Sequence, residues 1–250
     1  MIVIICAMSK ERDAFLSLMK NVKKCKIENL NYHGMPFDSA CYKGKLSNKD
    51  VVIVHCGVGK VYAALVTTLA IKKFKPELVL NVGCAGSLNL NVHVGDVVIA
   101  DRVADWDVDV PGWPRSIYSD KMSFACSGKV TKLVKNLNYT FKVKLGNIVS
   151  ADEFIYKKAQ VNTIKKYFPN ALAGEMEGSS IACTCYAFGI NFAIIRSISD
   201  ETLVNGSYKK FDFNLNKACE NAAILCRDLI KGYKWKNSIK NLILISKTGY

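Results

Sequence analysis

Histidine is scarce in this chain. Its 250 residues include three, His33, His55 and His93. None is spaced with another His, Cys or carboxylate as a metal site requires, so no metal centre is expected. Proline is sparse too, at five residues, and no segment is collagenous, repetitive or of low complexity. No apolar run approaches the roughly 18 residues that span a bilayer, so no membrane partner is expected. The apolar Met1–Met8 segment is short and meets Lys10, Glu11 and Arg12 at once. It reads as a first core strand rather than a signal peptide.

Acidic residues are outnumbered, 21 Asp and Glu against 35 Lys and Arg, giving a formal net charge of +14. Such a balance raises nucleic acid as a partner. The lysines are scattered along helix surfaces, however, as at Lys72, Lys73, Lys75, Lys157, Lys158, Lys165 and Lys166. No stripe of Arg and aromatics accompanies them, so no specific nucleic acid is expected. Lys231–Lys240 is denser in charge and fits weak attraction to polyanions. Half of the residues are apolar and mean hydropathy is +0.11, which excludes a disordered chain.

Cysteine is abundant at ten residues. No pair has C-x-x-C spacing, which removes zinc ribbons and thioredoxin-like sites. Many cysteines sit in apolar runs such as Ile5-Cys6-Ala7, where a free thiol acts as a small hydrophobe. With no secretion signal, the expectation is a reduced, cytoplasmic protein.

Near-continuous Val/Ile runs alternate with helical periodicity. Strands are expected at 2–7, 51–55, 78–82, 95–103, 144–149 and 192–198. Helices are expected after an N-cap at Ser9, at 60–74, 157–167 and 178–188, and at 214–231. This is the pattern of a largely parallel sheet covered on both faces, and no linker divides it. Ligands in such folds collect beyond the carboxyl ends of strands. Four loops are singled out there: Ala7–Glu11, Cys56–Gly59, Gly83–Gly86 and Ser197–Asp200.

Gly57-Val58-Gly59-Lys60 lacks the residues of a Walker A loop or a dinucleotide fingerprint, since Val54, Val61 and Tyr62 occupy the decisive positions. It reads as a tight strand-to-helix turn. The carboxylates say more. Glu11 follows the first strand, Glu175-Met176-Glu177 precedes the small residues Gly178-Ser179-Ser180, and Asp200 ends an apolar strand run. Each alone fits a helix cap. Three converging on one crevice suit glycosyl transfer or hydrolysis through a cationic transition state.

In one order the chain carries Ala7-Met8-x-x-Glu11, Gly57-x-Gly59-Lys60, Asn81-x-Gly83-x-Ala85-Gly86, Gly95-Asp96, Ser150-x-Asp152-x-Phe154, Glu175-Met176-Glu177 and Arg196-x-Ile198-Ser199-Asp200. Together these resemble the purine nucleoside phosphorylase/nucleosidase superfamily, and within it the 5′-methylthioadenosine/S-adenosylhomocysteine nucleosidases. The resemblance covers residues 1–231 and makes them one nucleosidase domain. Residues 232–250 form an extension of unknown role.

The resemblance implies an α/β fold, a three-layer α/β/α sandwich with a mixed central sheet bent toward a barrel. It implies a homodimer, with a partner's loop completing each pocket. It implies hydrolysis of an N-glycosidic bond, releasing adenine and a 5-thio-substituted ribose, without metal or organic cofactor. Asp200 would protonate adenine N7, oriented by Ser199, and Glu11 would activate water. Glu177 would hold the ribose hydroxyls. Met8 and Met176 would contact the sugar, Phe154 would stack on adenine, and the Ile155 backbone would read its edge. Val58, Cys84, Ala85 and Gly86 would line the pocket. Arg196 would support the acid network and Phe211 would close the pocket, while Trp113, on the loop 107–115 that completes a partner's pocket, would supply an aromatic wall near the 5′-substituent. Two departures stand out: Cys84 replaces a serine common among relatives, and Pro111 and Pro114 reshape the loop around Trp113.

Two rivals use the same fold. A phosphorylase needs cations for phosphate, commonly an Arg where this chain has Asn81, and Glu11 would repel the anion. A non-catalytic nucleoside-binding protein would have lost Glu11, Glu177 or Asp200. A hydrolase of aminodeoxyfutalosine is a narrower alternative with the same acid and water machinery.

Overall fold

The first strand shows why the fold has three layers. β1 (Ile2–Cys6) is wholly buried. Ile2, Ile4 and Cys6 join one core cluster with Phe15, Leu225 and Leu229. Val3, Ile5 and Ala7 join another with Val66, Ala70 and Ile181. Alternate side chains of a strand point to opposite faces, so a strand apolar on both needs helices on both. This computed structural model, which describes residues 1–27, 40–113, 122–134, 139–204 and 206–234, has that arrangement. Helices α1 (Ser9–Leu16), α3 (Gly128–Val134) and α6 (Phe211–Gly232) pack on the first face. Helices α2 (Lys60–Phe74) and α5 (Gly178–Ala187) pack on the second. Helix α4 (Lys158–Tyr167) covers a third cluster around Leu88, Trp106 and Val149.

The remaining strands are β2 (Lys20–Lys26), β3 (Ala40–Leu46), β4 (Lys49–His55), β5 (Leu78–Ser87), β6 (Val97–Asp105), β7 (Phe124–Ala125), β8 (Val143–Ser150), β9 (Ala171–Glu175) and β10 (Asn191–Glu201). The sheet runs β10-β6-β8-β9-β5-β1-β4-β3-β2, and β10 also pairs with β5. Strands β5, β10, β6, β8 and β9 therefore close into a ring, and β1, β4, β3 and β2 fan out from β5. The sheet is mixed: β1 runs parallel to β4 and β5, while β10 is parallel to β5 and antiparallel to β6.

β5 positions the site. Along one edge, Leu78–Asn81 pair with β1, whereas Gly86 and Ser87 pair with β9. Residues 82–85 of that edge lie between the two partners. This is a switch point in the sheet, where a crevice opens beside the strand.

The structure revises several expectations. Gly83–Gly86 is not a loop but the end of β5, and Ser197–Asp200 lies inside β10. Ser9 is the first helical residue rather than the N-cap, a position that Met8 takes. Strands β2 and β3 carry six lysines between them, and β2 is almost wholly exposed. Their polarity hides them from a search for apolar runs, yet lysine is what keeps a sheet's outer strand from pairing with another chain. Cys25 and Cys41 face each other across these strands and are disulfide-bonded, which corrects the expectation of ten reduced thiols. Eight cysteines are free. His33, Pro114, Arg115 and the tail from residue 235 lie outside the described residues. Among those described, no helix is long and apolar enough to cross a membrane.

A Cβ added at Gly83 would come within 2.3 Å of Glu11 Oε1 and 2.4 Å of Arg196 Nη1, whereas one at Gly128 would meet nothing within 4 Å. Gly83→Ala should therefore lower unfolding stability by about 1–3 kcal/mol through overpacking. Gly128→Ala should stay within about 0.5 kcal/mol of the parent. Chemical denaturation of both variants tests this, and equal midpoints would refute the close packing at Gly83.

Candidate active site

A cavity of about 240 Å³ opens at the switch point. Its walls come from the ends of β1, β5, β9 and β10, the turn after β4, the loop after β8 and the start of α6. Of the residues expected at the site, Met8, Glu11, Val58, Cys84, Ala85, Gly86, Phe154, Ile155, Met176, Glu177, Arg196, Ser199, Asp200 and Phe211 all line it. Trp113 does not; it is 53% exposed and away from this cavity. Ala7, Glu153, Gly174 and Glu175 also line the wall, with no role foreseen for them.

Glu11 lies in the first turn of α1, where a carboxylate is favoured by free backbone N–H groups. Its Oε2 accepts hydrogen bonds from the N–H groups of Ala7 at 2.9 Å and Met8 at 3.0 Å. Its Oε1 accepts from the Cys84 N–H at 2.9 Å. That last donor lies on the stretch of β5 between its two edge partners, so the split edge of the sheet is what receives Glu11. Burial raises the Glu11 pKa, against the pull of Arg196 and of these three N–H groups.

Arg196, on β10, is completely surrounded. Its Nη2 donates to Asn81 Oδ1 at 2.6 Å, to Glu177 Oε2 at 3.1 Å and to Glu175 Oε2. Burial opposes its charge, yet Glu175, Glu177 and Glu11 together raise its pKa, so it stays a cation. Glu175 is the anchor of this cluster. It also accepts from the N–H groups of Glu177 and Gly178 and from Ser150 Oγ. It thus holds the start of α5. Its place in the Glu175-Met176-Glu177 motif was the available signal, but adjacency gave no way to divide the labour between two glutamates.

Glu177 accepts from the Gly59 N–H at 3.0 Å through Oε1. Gly59 has φ +102°, a conformation that glycine adopts readily. Burial pushes the Glu177 pKa up to about 8; Arg196 and the Gly59 N–H oppose this, and Glu175 and Glu11 add to it. Three glutamates share one arginine, and the surplus negative charge favours proton retention.

Asp200 faces this group from β10. The β10–β5 register shifts between Ile198 and Asp200. A bulge there lets the consecutive residues Ser199 and Asp200 both line the cavity, which regular pleating would forbid. Ser199 Oγ donates to Asp200 Oδ1 at 2.9 Å. Asp200 Oδ2 is buried with no hydrogen-bond partner among the described residues. Burial raises the Asp200 pKa, with the Ser199 bond opposing. A carboxyl of raised pKa with one unpartnered oxygen, on a residue that lines a pocket, can donate a proton to a ligand.

The apolar part of the cavity is built around Phe154 and Phe211, whose rings meet edge to face at 5.7 Å. Cys84 presents its backbone to Glu11, while its Sγ lies 3.6 Å from Cys219 Sγ. That thiol contact, with burial, raises the Cys84 pKa well above the usual thiol value, so the group is neutral. The side chain that replaces a common serine is thus occupied by α6, and the hydrogen bond to Glu11 is independent of it. Among the described residues, no group of three or more His, Cys, Asp or Glu side chains has an arrangement suited to a metal ion.

Residues 1–231 match the family model described as the phosphorylase superfamily. The chain is 40% identical over 229 residues to a 5′-methylthioadenosine/S-adenosylhomocysteine nucleosidase of Staphylococcus aureus, covering 87% of this chain and 93% of that one. It is also similar to the crystal structure of the Neisseria meningitidis nucleosidase of that name in complex with methylthio-immucillin-A. That match has a TM-score of 0.79 and 32% identity, over 93% of this chain and 99% of the other. A Borrelia burgdorferi counterpart bound to adenine matches with a TM-score of 0.82 and 29% identity, over 92% of this chain and 99% of the other.

The raised Glu177 pKa has a thermodynamic consequence. A carboxyl whose pKa rises on folding, here from 4.5 to about 8, favours the folded state while protonated. Its contribution is full below pH 4.5 and is lost as pH climbs through about 8. Between those values the unliganded protein should lose stability faster than Glu177→Gln. Denaturant titrations across that range test this, and parallel curves would refute the shift.

Proposed function

The chain belongs to the phosphorylase superfamily, and we propose that it is a nucleosidase of that superfamily. It hydrolyses the N-glycosidic bond of 5′-methylthioadenosine and S-adenosylhomocysteine. The products are adenine and a 5-thio-substituted ribose. The single observation that carries this reading is the cavity that joins Asp200, with its unpartnered buried oxygen, to Glu11 and Glu177. The 40% identity to a nucleosidase of that specificity supports it.

In this reading the aromatic side of the cavity takes the base. Phe154 stacks on adenine, the Ile155 backbone meets its edge, and Asp200 gives a proton to N7 as the C–N bond breaks. Its raised pKa suits that task. The ribosyl group acquires positive charge, which the surplus of carboxylates around Arg196 stabilises. Glu177 receives the ribose hydroxyls and Met8 and Met176 contact the sugar. Glu11, fixed by three N–H groups, takes a proton from the water that attacks the anomeric carbon. Proton balance is kept: Asp200 supplies one to adenine and Glu11 accepts one from water.

Phosphorolysis fits less well. Among the described residues lining the cavity, Arg196 is the one cationic side chain, and it is held by Glu175, Glu177 and Asn81. A phosphate in place of water would face Glu11 without a free cation. A purely binding role would not need a buried acid opposite a buried base.

We extend the proposal to the setting. The enzyme works as a homodimer in the cytoplasm. Val61 (73%) and Leu65 on α2, and Val110 and Trp113 (53%), are exposed apolar side chains that a second copy would cover. Trp113 would then serve the partner's cavity rather than its own. The Cys25–Cys41 pair lies on β2 and β3, away from the cavity.

Two measurements test these readings. Methylthioadenosine should yield adenine and methylthioribose at a rate independent of phosphate, and Asp200→Asn should lower kcat by about 100-fold or more while the fold is retained. Methylthioribose 1-phosphate as product, or near-parental turnover in that variant, would overturn the assignment. Sedimentation should give a dimer that Val61→Glu weakens; a monomeric parent would remove Trp113 from the site.

A further inference from the structure

Lys60 is the first residue of α2, and the reaction proposed above gives it no task. Its position is unusual for a lysine on a mostly basic chain. Its side chain is 17% exposed, and three aspartates surround it. Nζ donates to Asp107 Oδ1 at 2.6 Å and lies 3.2 Å from Asp105 Oδ1 and 4.0 Å from Asp152 Oδ2. Its backbone N–H donates to Asp152 Oδ1 at 2.8 Å. Asp152 in turn donates its N–H to Asp107 Oδ2 at 2.9 Å, and Asp105 Oδ1 accepts from Ser179 Oγ at 2.6 Å. One lysine therefore ties together the turn after β4, the end of β6, the loop after β8 and the first turn of α5.

Three of those four segments lead to the cavity. The turn after β4 carries Val58 and the Gly59 N–H that holds Glu177. The loop after β8 carries Phe154, two residues beyond Asp152. Glu177 immediately precedes α5. Three carboxylates brought this close repel one another, and Lys60 is the cation between them. Burial works against its ammonium charge. The hydrogen bond to Asp107 and the charges of Asp105 and Asp107 outweigh that and raise its pKa, so the charge is kept.

Glu11 and Asp200 are held in other ways, by the N–H groups of Ala7, Met8 and Cys84 and by Ser199 on β10. We infer that Lys60 is a positioning residue, an ionic clamp that sets the substrate-binding wall of the site, Val58, Phe154 and Glu177, independently of its acid and base. This inference rests on the nucleosidase reading for its consequence, though not for its geometry.

Such a clamp separates binding from chemistry. Lys60→Met should raise KM for methylthioadenosine about tenfold or more while kcat stays within about threefold. Lys60→Arg should restore most of the loss, because a guanidinium can bridge Asp105 and Asp107 together. Asp107→Asn should raise KM by a smaller factor, and it carries the comparison if Lys60→Met does not fold. Hydrogen exchange at the Gly59 amide gives a readout free of activity: it should quicken in Lys60→Met and remain slow in Lys60→Arg. An unchanged KM, or a loss confined to kcat, would overturn the clamp. A parent protein that releases no adenine would sink the nucleosidase reading instead. The clamp would then be judged by exchange alone, and an unaltered Gly59 amide would overturn it.

Discussion

One buried guanidinium organises this molecule. Arg196 sits inside the protein among Glu175, Glu177, Asn81 and, at slightly greater reach, Glu11. Taking four ionisable groups out of water costs several kcal/mol per ion before any attraction is counted. The cost is offset because every carboxylate oxygen of the three glutamates finds a donor, although Arg196 Nε has no partner among the described residues. Glu175 takes two backbone N–H groups and a serine hydroxyl besides the arginine. Glu11 takes three N–H groups. The glycine at position 83 follows from this crowding, since Glu11 and Arg196 occupy the space that a side chain there would need.

The cluster is deliberately unbalanced. Three carboxylates against one cation leave a negative surplus in a low-dielectric pocket, and protons are retained in response. A positive charge brought into such a site favours loss of those protons, and the carboxylates then attract it. A ribosyl group losing a neutral base carries that charge only in the transition state, so the attraction grows as the bond breaks. The same imbalance is unfavourable for phosphate. In the proposed reaction, electrostatics thus favours hydrolysis over phosphorolysis.

How much of this could be read from the amino acids alone depended on the kind of signal. β1, α2, α4 and α5 were legible because their apolar spacing is regular. β2 and β3 were not, because strands at the outer end of a sheet carry lysine where inner strands carry valine. Gly83–Gly86 and Ser197–Asp200 read as loops because they come at the carboxyl ends of apolar strand runs. Here they are strand residues, kept small by the approach of Glu11 and bent by a bulge. Fourteen of the fifteen expected site residues meet in one cavity because their motifs sit at consecutive strand ends. Trp113 does not join them. The Cys25–Cys41 bond was missed for a related reason: their 16-residue separation says nothing until the register of β2 on β3 is known.

The parts of the site are anchored with different stiffness. Asp200 is carried within a strand of the closed ring, and Glu11 is pinned to β5 by the Cys84 N–H, so their separation is set by the sheet. Val58 and Phe154 are on connections, and Glu177 stands just ahead of a helix whose start depends on Glu175. Strand-borne groups keep their geometry through hydrogen bonds that cannot be lost singly, whereas loop-borne groups need local ties. The ionic contacts of Lys60 supply such ties where the sheet does not reach. A pocket built this way can tolerate sequence change at Trp113, which does not line it, without moving Glu11 or Asp200. In the proposed reaction, adaptation to different 5′-substituents then falls to the loops, and bond cleavage to Asp200 on the ring of strands and to Glu11 pinned against it.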